Sequence, residues 1–172
     1  SGRRADHAGH PRAAAAHPEF RVRREVVAAL VQVPRPVARP VLLEMLAQSD
    51  TRLFGSILHQ LAGSPDPELG RQLLAMIEDA GFESRPEEEK RAVLQTLGAV
   101  GDDSLLPALE ARILPGSWLV RGNDEERFSA AMCVARLGTL AARRVLEQGA
   151  ASRRREVARA CTQALAAFRE RS

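Results

Sequence analysis

Arg24, Arg91 and Arg159 each stand six residues before a leucine, and His59, Gln95 and Gln163 each stand two before one. Guanidinium forks beside amide or imidazole groups suit carboxylate and phosphate oxygens, which a fork meets through two parallel hydrogen bonds. The same row can equally close on acids of neighbouring helices as an internal ladder. Trp118 and Arg121 form a second candidate contact, in the long connection 114–123. An inserted loop with the chain's one tryptophan suits partner contact. Folded back, that tryptophan would instead cover a junction between helices.

Other reactive groups have less to work with. Glu87, Glu88 and Glu89 form one acidic triplet, and Asp124, Glu125 and Glu126 form another. A catalytic carboxylate needs a pocket that raises its pKa. Both triplets instead open predicted helices, where negative charge complements the macrodipole. Cys133 and Cys161 share one register position, four before a leucine. Equivalent positions on packed helices lie about 10 Å apart, whereas a disulfide needs Cα atoms within about 7 Å, so both read as buried free thiols. His7, His10 and His17 have no further ligand on a formed element, and no metal site is assigned. The sequence holds no phosphate-cradling glycine loop and no nucleophile elbow. The chain reads as non-catalytic, with no cofactor.

A repeat must position the arginine row. Leu30, Leu61, Leu97, Leu137 and Leu165 follow one another at intervals of 31, 36, 40 and 28 residues. Four before them stand Val26, Ile57, Val93, Cys133 and Cys161; three before stand Val27, Leu58, Leu94, Val134 and Thr162. Apolar residues at these offsets make one stripe of a 3.6-residue helix. Between these helices the pattern predicts others at 37–46, 69–77, 105–114 and 140–146. Their apolar clusters include Val41, Leu42, Met45 and Leu46, then Leu73 and Ile77, then Leu105, Leu109 and Ile113, then Leu140, Val145 and Leu146. Asp50, Asp66, Asp102 and Ser152 are predicted N-caps. Pro18, Pro67 and Pro86 suit first turns, and Gly98, Gly101 and Gly138 suit C-terminal caps. Such periods, with two helices in each, predict an all-α fold: a right-handed α-solenoid of antiparallel helix pairs, about nine helices in all.

The pattern resembles the HEAT-repeat family. Residues 90–101 (KRAVLQTLGAVG) followed by 103–109 (DSLLPAL) carry the match, with weaker copies at 127–138 and 155–165. The resemblance covers roughly residues 18–168 and departs at Phe54-Gly55 and at the long connection 113–126. It implies a binding scaffold that uses the concave groove lined by the second helix of each pair. Some members of the family hold DNA in a basic groove, a few are DNA glycosylases, and others occur in bilin lyases. No residues for bilin attachment are identifiable here.

Composition narrows the class. Of 172 residues 45% are hydrophobic but only 3% aromatic, so the core must be aliphatic. Residues 1–17 lack apolar periodicity and read as a flexible arm or linker, and 18–170 as a single HEAT-like repeat domain. The chain opens on Ser-Gly and reads as a piece of a longer protein. Twenty-four of its 25 basic residues are arginine, which with abundant alanine points to a GC-rich, bacterial-like genome. Residues 1–40 hold eight Arg and three acids, 41–138 nine basic and sixteen acidic side chains, and 139–172 eight Arg and three acids. The ends are basic and the middle acidic. Two cysteines suit a reducing cytoplasm, and no membrane partner is expected because no apolar run reaches 18 residues. The function expected is a protein–protein interaction scaffold, its partner a protein, a peptide or another domain of a parent chain. The alternative is nucleic-acid backbone binding through Arg24, Arg91, Arg155 and Arg159, and a HEAT-like lyase or glycosylase-type enzyme ranks third.

Overall fold

The computed structural model describes residues 20–49, 51–114 and 124–171, and all regular structure among them is helical. By internal packing the chain divides into two units, residues 1–61 and 62–172. Trp118, Arg121, His7, His10, His17, Pro18 and Asp50 lie outside the described residues.

The first unit contains α1 (Phe20–Leu30), α2 (Arg35–Ala47) and α3 (Thr51–Leu61). Its core is the predicted stripe: Val27 and Leu30, then Val41, Leu42, Met45 and Leu46, then Ile57, Leu58 and Leu61. Phe54, which breaks the family pattern in sequence, is a buried core residue. Pro36 lies in the first turn of α2, where a missing N–H is tolerated. Arginines close helix ends here: Arg23 Nη2 donates to the Gln48 carbonyl at 3.2 Å, and Arg35 donates to that of Leu61.

The second unit contains α4 (Pro67–Glu78), α5 (Glu87–Val100), α6 (Leu106–Ile113), α7 (Asp124–Leu137), α8 (Leu140–Ala150) and α9 (Arg155–Ala167). Short 3-10 turns at Ala80–Ser84 and Asp103–Leu105 precede α5 and α6. Asp66 caps α4 by accepting from Leu69 N–H at 3.2 Å, and its own N–H donates to the Val100 carbonyl at 2.8 Å. That bond ties the start of α4 to the end of α5, so the two run antiparallel. The buried Arg127 near the start of α7 donates to the Ile113 carbonyl at 3.0 Å, which ties it to the end of α6. Gly149, late in α8, faces Cys161 Sγ and Val157 of α9. Among the described residues no helix is long and apolar enough to cross a membrane.

Helix α7 touches α5, α6, α8 and α9. These neighbours bury seven of its 14 residues, and small side chains allow the close approach: Ala130, Ala131, Cys133 and Ala135 are all buried. Both cysteines are buried and free. Burial pushes the Cys133 thiol up to about 12 and also raises that of Cys161, so both stay protonated at neutral pH.

Several local expectations need correction. Gly98 does not end a helix; α5 continues to Val100 and Gly101 is its cap. A Cβ at Gly98 would lie 2.8 Å from Arg136 Cβ and 2.8 Å from the Cys133 carbonyl, so this glycine lets α5 and α7 pack closely. Gly138 does follow α7, with φ +66, a left-handed conformation that favours glycine. Ser152 does not cap α9: Arg154 occupies that position without a side-chain bond, while Ser152 Oγ accepts from Arg154 N–H in the preceding turn. Leu140 leaves the core and is 61% exposed, because Thr139 caps α8 and turns its first residue outward. The apolar stripe weakens in α9, where Thr162 is exposed and Leu165 half-buried.

Candidate functional site

Two acidic first turns bring charge to the same end of the second unit. Glu87, Glu88 and Glu89 open α5, and Asp124, Glu125 and Glu126 open α7. Between them lies Lys90, the only lysine in the chain, its side chain just 8% exposed. Its Nζ lies 2.6 Å from Glu87, 3.2 Å from Glu126 and 3.8 Å from Glu83. The hydrogen bond to Glu87 raises the ammonium pKa, opposed by burial and assisted by Glu126. Glu83 is also raised, chiefly by a hydrogen bond shared with Glu126. Arg112 completes the group: it lies 3.8 Å from Glu83, donates to the Ile77 carbonyl at 2.6 Å and sits over the Phe82 ring at 5.8 Å. Lys90, Arg112, Glu83, Glu87 and Glu126 each have an opposite neighbour, so the cluster holds α4, α5, α6 and α7 together.

Clefts open along both flanks of α7. The α5 flank holds one of about 300 Å³, whose lining includes Arg91, Gln95, Glu125, Phe128, Met132 and Arg136. The α9 flank holds a larger one of about 710 Å³, between Asp124, Glu125 and Phe128 on one wall and Arg155, Arg159 and Gln163 on the other, with Glu156 and Ala160. Phe128 and Glu125 belong to both, so the two clefts share α7 as a ridge. Phe128 is 39% exposed, a large apolar side chain left open between charged walls.

The predicted groove residues divide between these places. Arg91 and Gln95 line the smaller cleft, Arg159 and Gln163 the larger. Arg24 and His59 are exposed on α1 and α3, in the first unit. Arg91 makes an internal rung, its Nη2 lying 2.5 Å from Glu125 of α7. One rung of an internal ladder is therefore present on this flank. Among the described residues the side chains of Arg155 and Arg159 make no hydrogen bond or ion pair. Asp124, on the wall facing them, is held by Arg127 at 2.6 Å.

On α7 the equivalent register positions, Ala131 and Ala135, are buried instead of groove-lining. Its central place turns Phe128, Met132 and Arg136 outward, and a one-dimensional register omits all three. Arg155 is legible as part of the run Arg153-Arg154-Arg155. Phe128 has no sequence signal beyond being one of five phenylalanines.

Five arginines serve helix ends. Arg171 donates to the carbonyls of Gly98 at 3.2 Å, Ala99 at 3.0 Å and Gly101 at 3.2 Å, at the C-terminal end of α5. With Arg23, Arg35, Arg112 and Arg127, it places positive charge where the helix dipole is negative and carbonyls lack partners. These five arginines are structural, whereas among the described residues the forks of Arg155 and Arg159 in the larger cleft make no hydrogen bond or ion pair. No family model matches this chain, and no curated protein matches it.

Proposed function

We propose that this chain is a non-catalytic interaction module: a right-handed α-solenoid of HEAT-like repeats that holds a protein or peptide along the flanks of α7. The observation that carries the reading is the larger cleft, where Arg155 and Arg159 are unpaired among the described residues beside the exposed Phe128. Interfaces favour this combination, since arginine and aromatic side chains supply most hot spots. The volume lies within the roughly 300–1,000 Å³ range of binding pockets. Arg91, Gln95, Arg159 and Gln163 belong to this surface in the proposal. A cytoplasmic location is part of it, consistent with two buried free thiols.

The test is affinity capture from a lysate of the source organism, with the chain as bait beside an Arg91→Glu, Arg159→Glu control. A second control, Arg24→Glu with His59→Glu, tests the first unit separately. A protein retained by the wild type and lost on the first control is the expected result. Nuclease-sensitive material lost on that control would replace a protein partner with nucleic acid. Reproducible turnover by the pure chain, abolished by a cleft substitution, would sink the non-catalytic reading.

A further inference from the structure

We propose that the cleft between α7 and α9 receives an extended acidic peptide segment with the pattern acid–apolar–acid. The proposal rests on the interaction-module reading and names the chemistry of its partner. Arg155 and Arg159 are four residues apart on α9 and both line the cleft. A helix rises 1.5 Å per residue, which sets them about 6 Å apart along the wall. In an extended peptide, side chains two residues apart share a face and lie about 6.7 Å apart. Two carboxylates at that spacing meet the two guanidinium forks in register. The residue between them points to the opposite wall, which carries Phe128, 39% exposed. Gln163 lies one further turn along the same helix face and lines the same cleft, where its amide can pair with the peptide backbone.

Charge decides between a peptide and a nucleic-acid strand. Asp124, Glu125 and Glu156 also line this cleft. A strand carries a phosphate at every nucleotide and would press several against those carboxylates. An acid–apolar–acid segment concentrates its charge at two points and can leave the acidic places to uncharged residues. Among the described residues Phe128 is the single aromatic side chain in the lining, a poor stacking platform for successive bases.

The test is a titration of the full chain with blocked synthetic peptides, followed by 1H–15N spectra that include the arginine Nε groups. One peptide carries Glu-Leu-Glu between glycines, the second Gln-Leu-Gln and the third Lys-Leu-Lys. A twelve-nucleotide single strand is run beside them. The Glu-Leu-Glu peptide is expected to shift the Arg155 and Arg159 Nε–H signals and the Phe128 amide. Affinity should fall on the order of tenfold in the Arg155→Glu, Arg159→Glu variant, the size of two partly exposed charge pairs. That variant, its helicity checked by circular dichroism, should now prefer Lys-Leu-Lys. Equal shifts with Gln-Leu-Gln would overturn the proposal, as would no binding by Glu-Leu-Glu. Shifts of the cleft arginines by the oligonucleotide but not the peptide would assign the cleft to nucleic acid. If a lysate protein is lost on Arg91→Glu, Arg159→Glu while Glu-Leu-Glu does not bind, the interaction module stands and only this inference fails.

Discussion

The two flanks of α7 treat two arginines of one register position, Arg91 and Arg159, in opposite ways. On the α5 side Lys90 lies among Glu83, Glu87 and Glu126, and Arg91 pairs with Glu125, while Arg136 alone in that cleft's lining is a cation without an ion pair among the described residues. On the α9 side Arg155 and Arg159 line the larger cleft without an ion pair among the described residues. Arg91 and Arg159 hold one register position in the repeat. Register therefore sets where an arginine projects, and the facing residue sets whether it is neutralised. A paired charge holds helices together, whereas an unpaired one beside an open apolar ring is available to a partner.

That contrast makes the α5 flank structural, and its substitutions should act on stability. Leu97, fully buried on α5, should give the largest effect. Leu97→Ala is expected to destabilise by roughly 2–5 kcal/mol, read from the urea midpoint. A shift near zero would place Leu97 outside a filled core. Gly98→Ala comes next, at about 1–3 kcal/mol, because its methyl would meet the Cys133 carbonyl and Arg136 Cβ. An unchanged midpoint there would mean that α5 and α7 separate without penalty.

These two residues also show what the sequence makes legible. The leucine register locates Leu97 directly, because a 3.6-residue stripe is a property of one helix. Gly98 is different: a glycine that ends a helix and one that lets two helices touch look alike in a single strand of letters. Only the position of Cys133 on another helix tells them apart. The same limit applies to the site. Arg91 and Arg159 are legible as a row, but the acid facing Arg91 lies 34 residues away. Lys90 is hidden for the same reason, since a lysine beside three glutamates reads as a solvated first turn until Glu126 is brought against it. Phe128 becomes a candidate only when neighbours on both sides of α7 bury Ala131 and Ala135 and turn the phenylalanine outward.

Lys90→Met sharpens the comparison from inside the closed cluster. It leaves Glu83, Glu87 and Glu126 without their shared cation, and about 1–2 kcal/mol should be lost at pH 7, below the value for a fully buried pair because the glutamates are partly exposed. The Lys90 pKa is raised in the folded state. Its stabilisation is thus complete below the ordinary value of 10.5 and is lost as pH rises through the higher folded value. A difference between the two proteins that persists unchanged above that window would mean the ammonium is not the stabilising group. On the open flank, Arg159→Gln should move the midpoint by no more than about 0.5 kcal/mol. A larger loss would give Arg159 a structural partner and erase the contrast between the flanks.

The smallest effect tests the repulsion between Glu83 and Glu126 in the closed cluster. Glu83 shares a hydrogen bond with Glu126, which raises its pKa above the ordinary 4.5. A carboxyl that holds its proton more tightly when folded stabilises the fold most at low pH. That contribution is full below 4.5 and is lost as pH rises through the elevated folded value. Above that folded value Glu83 is ionised and meets the repulsion of Glu126. Glu83→Gln keeps a hydrogen-bond donor toward Glu126 and removes the repulsion. The Glu83 side chain is 55% exposed, so solvent screens most of the gain. The variant should match the wild type near pH 4 and melt about 1 °C higher at pH 7, a few tenths of a kcal/mol. A lower melting temperature at pH 7 would show that Lys90 and Arg112, each 3.8 Å from Glu83, outweigh the repulsion from Glu126. The α5 flank would then be closed by attraction alone.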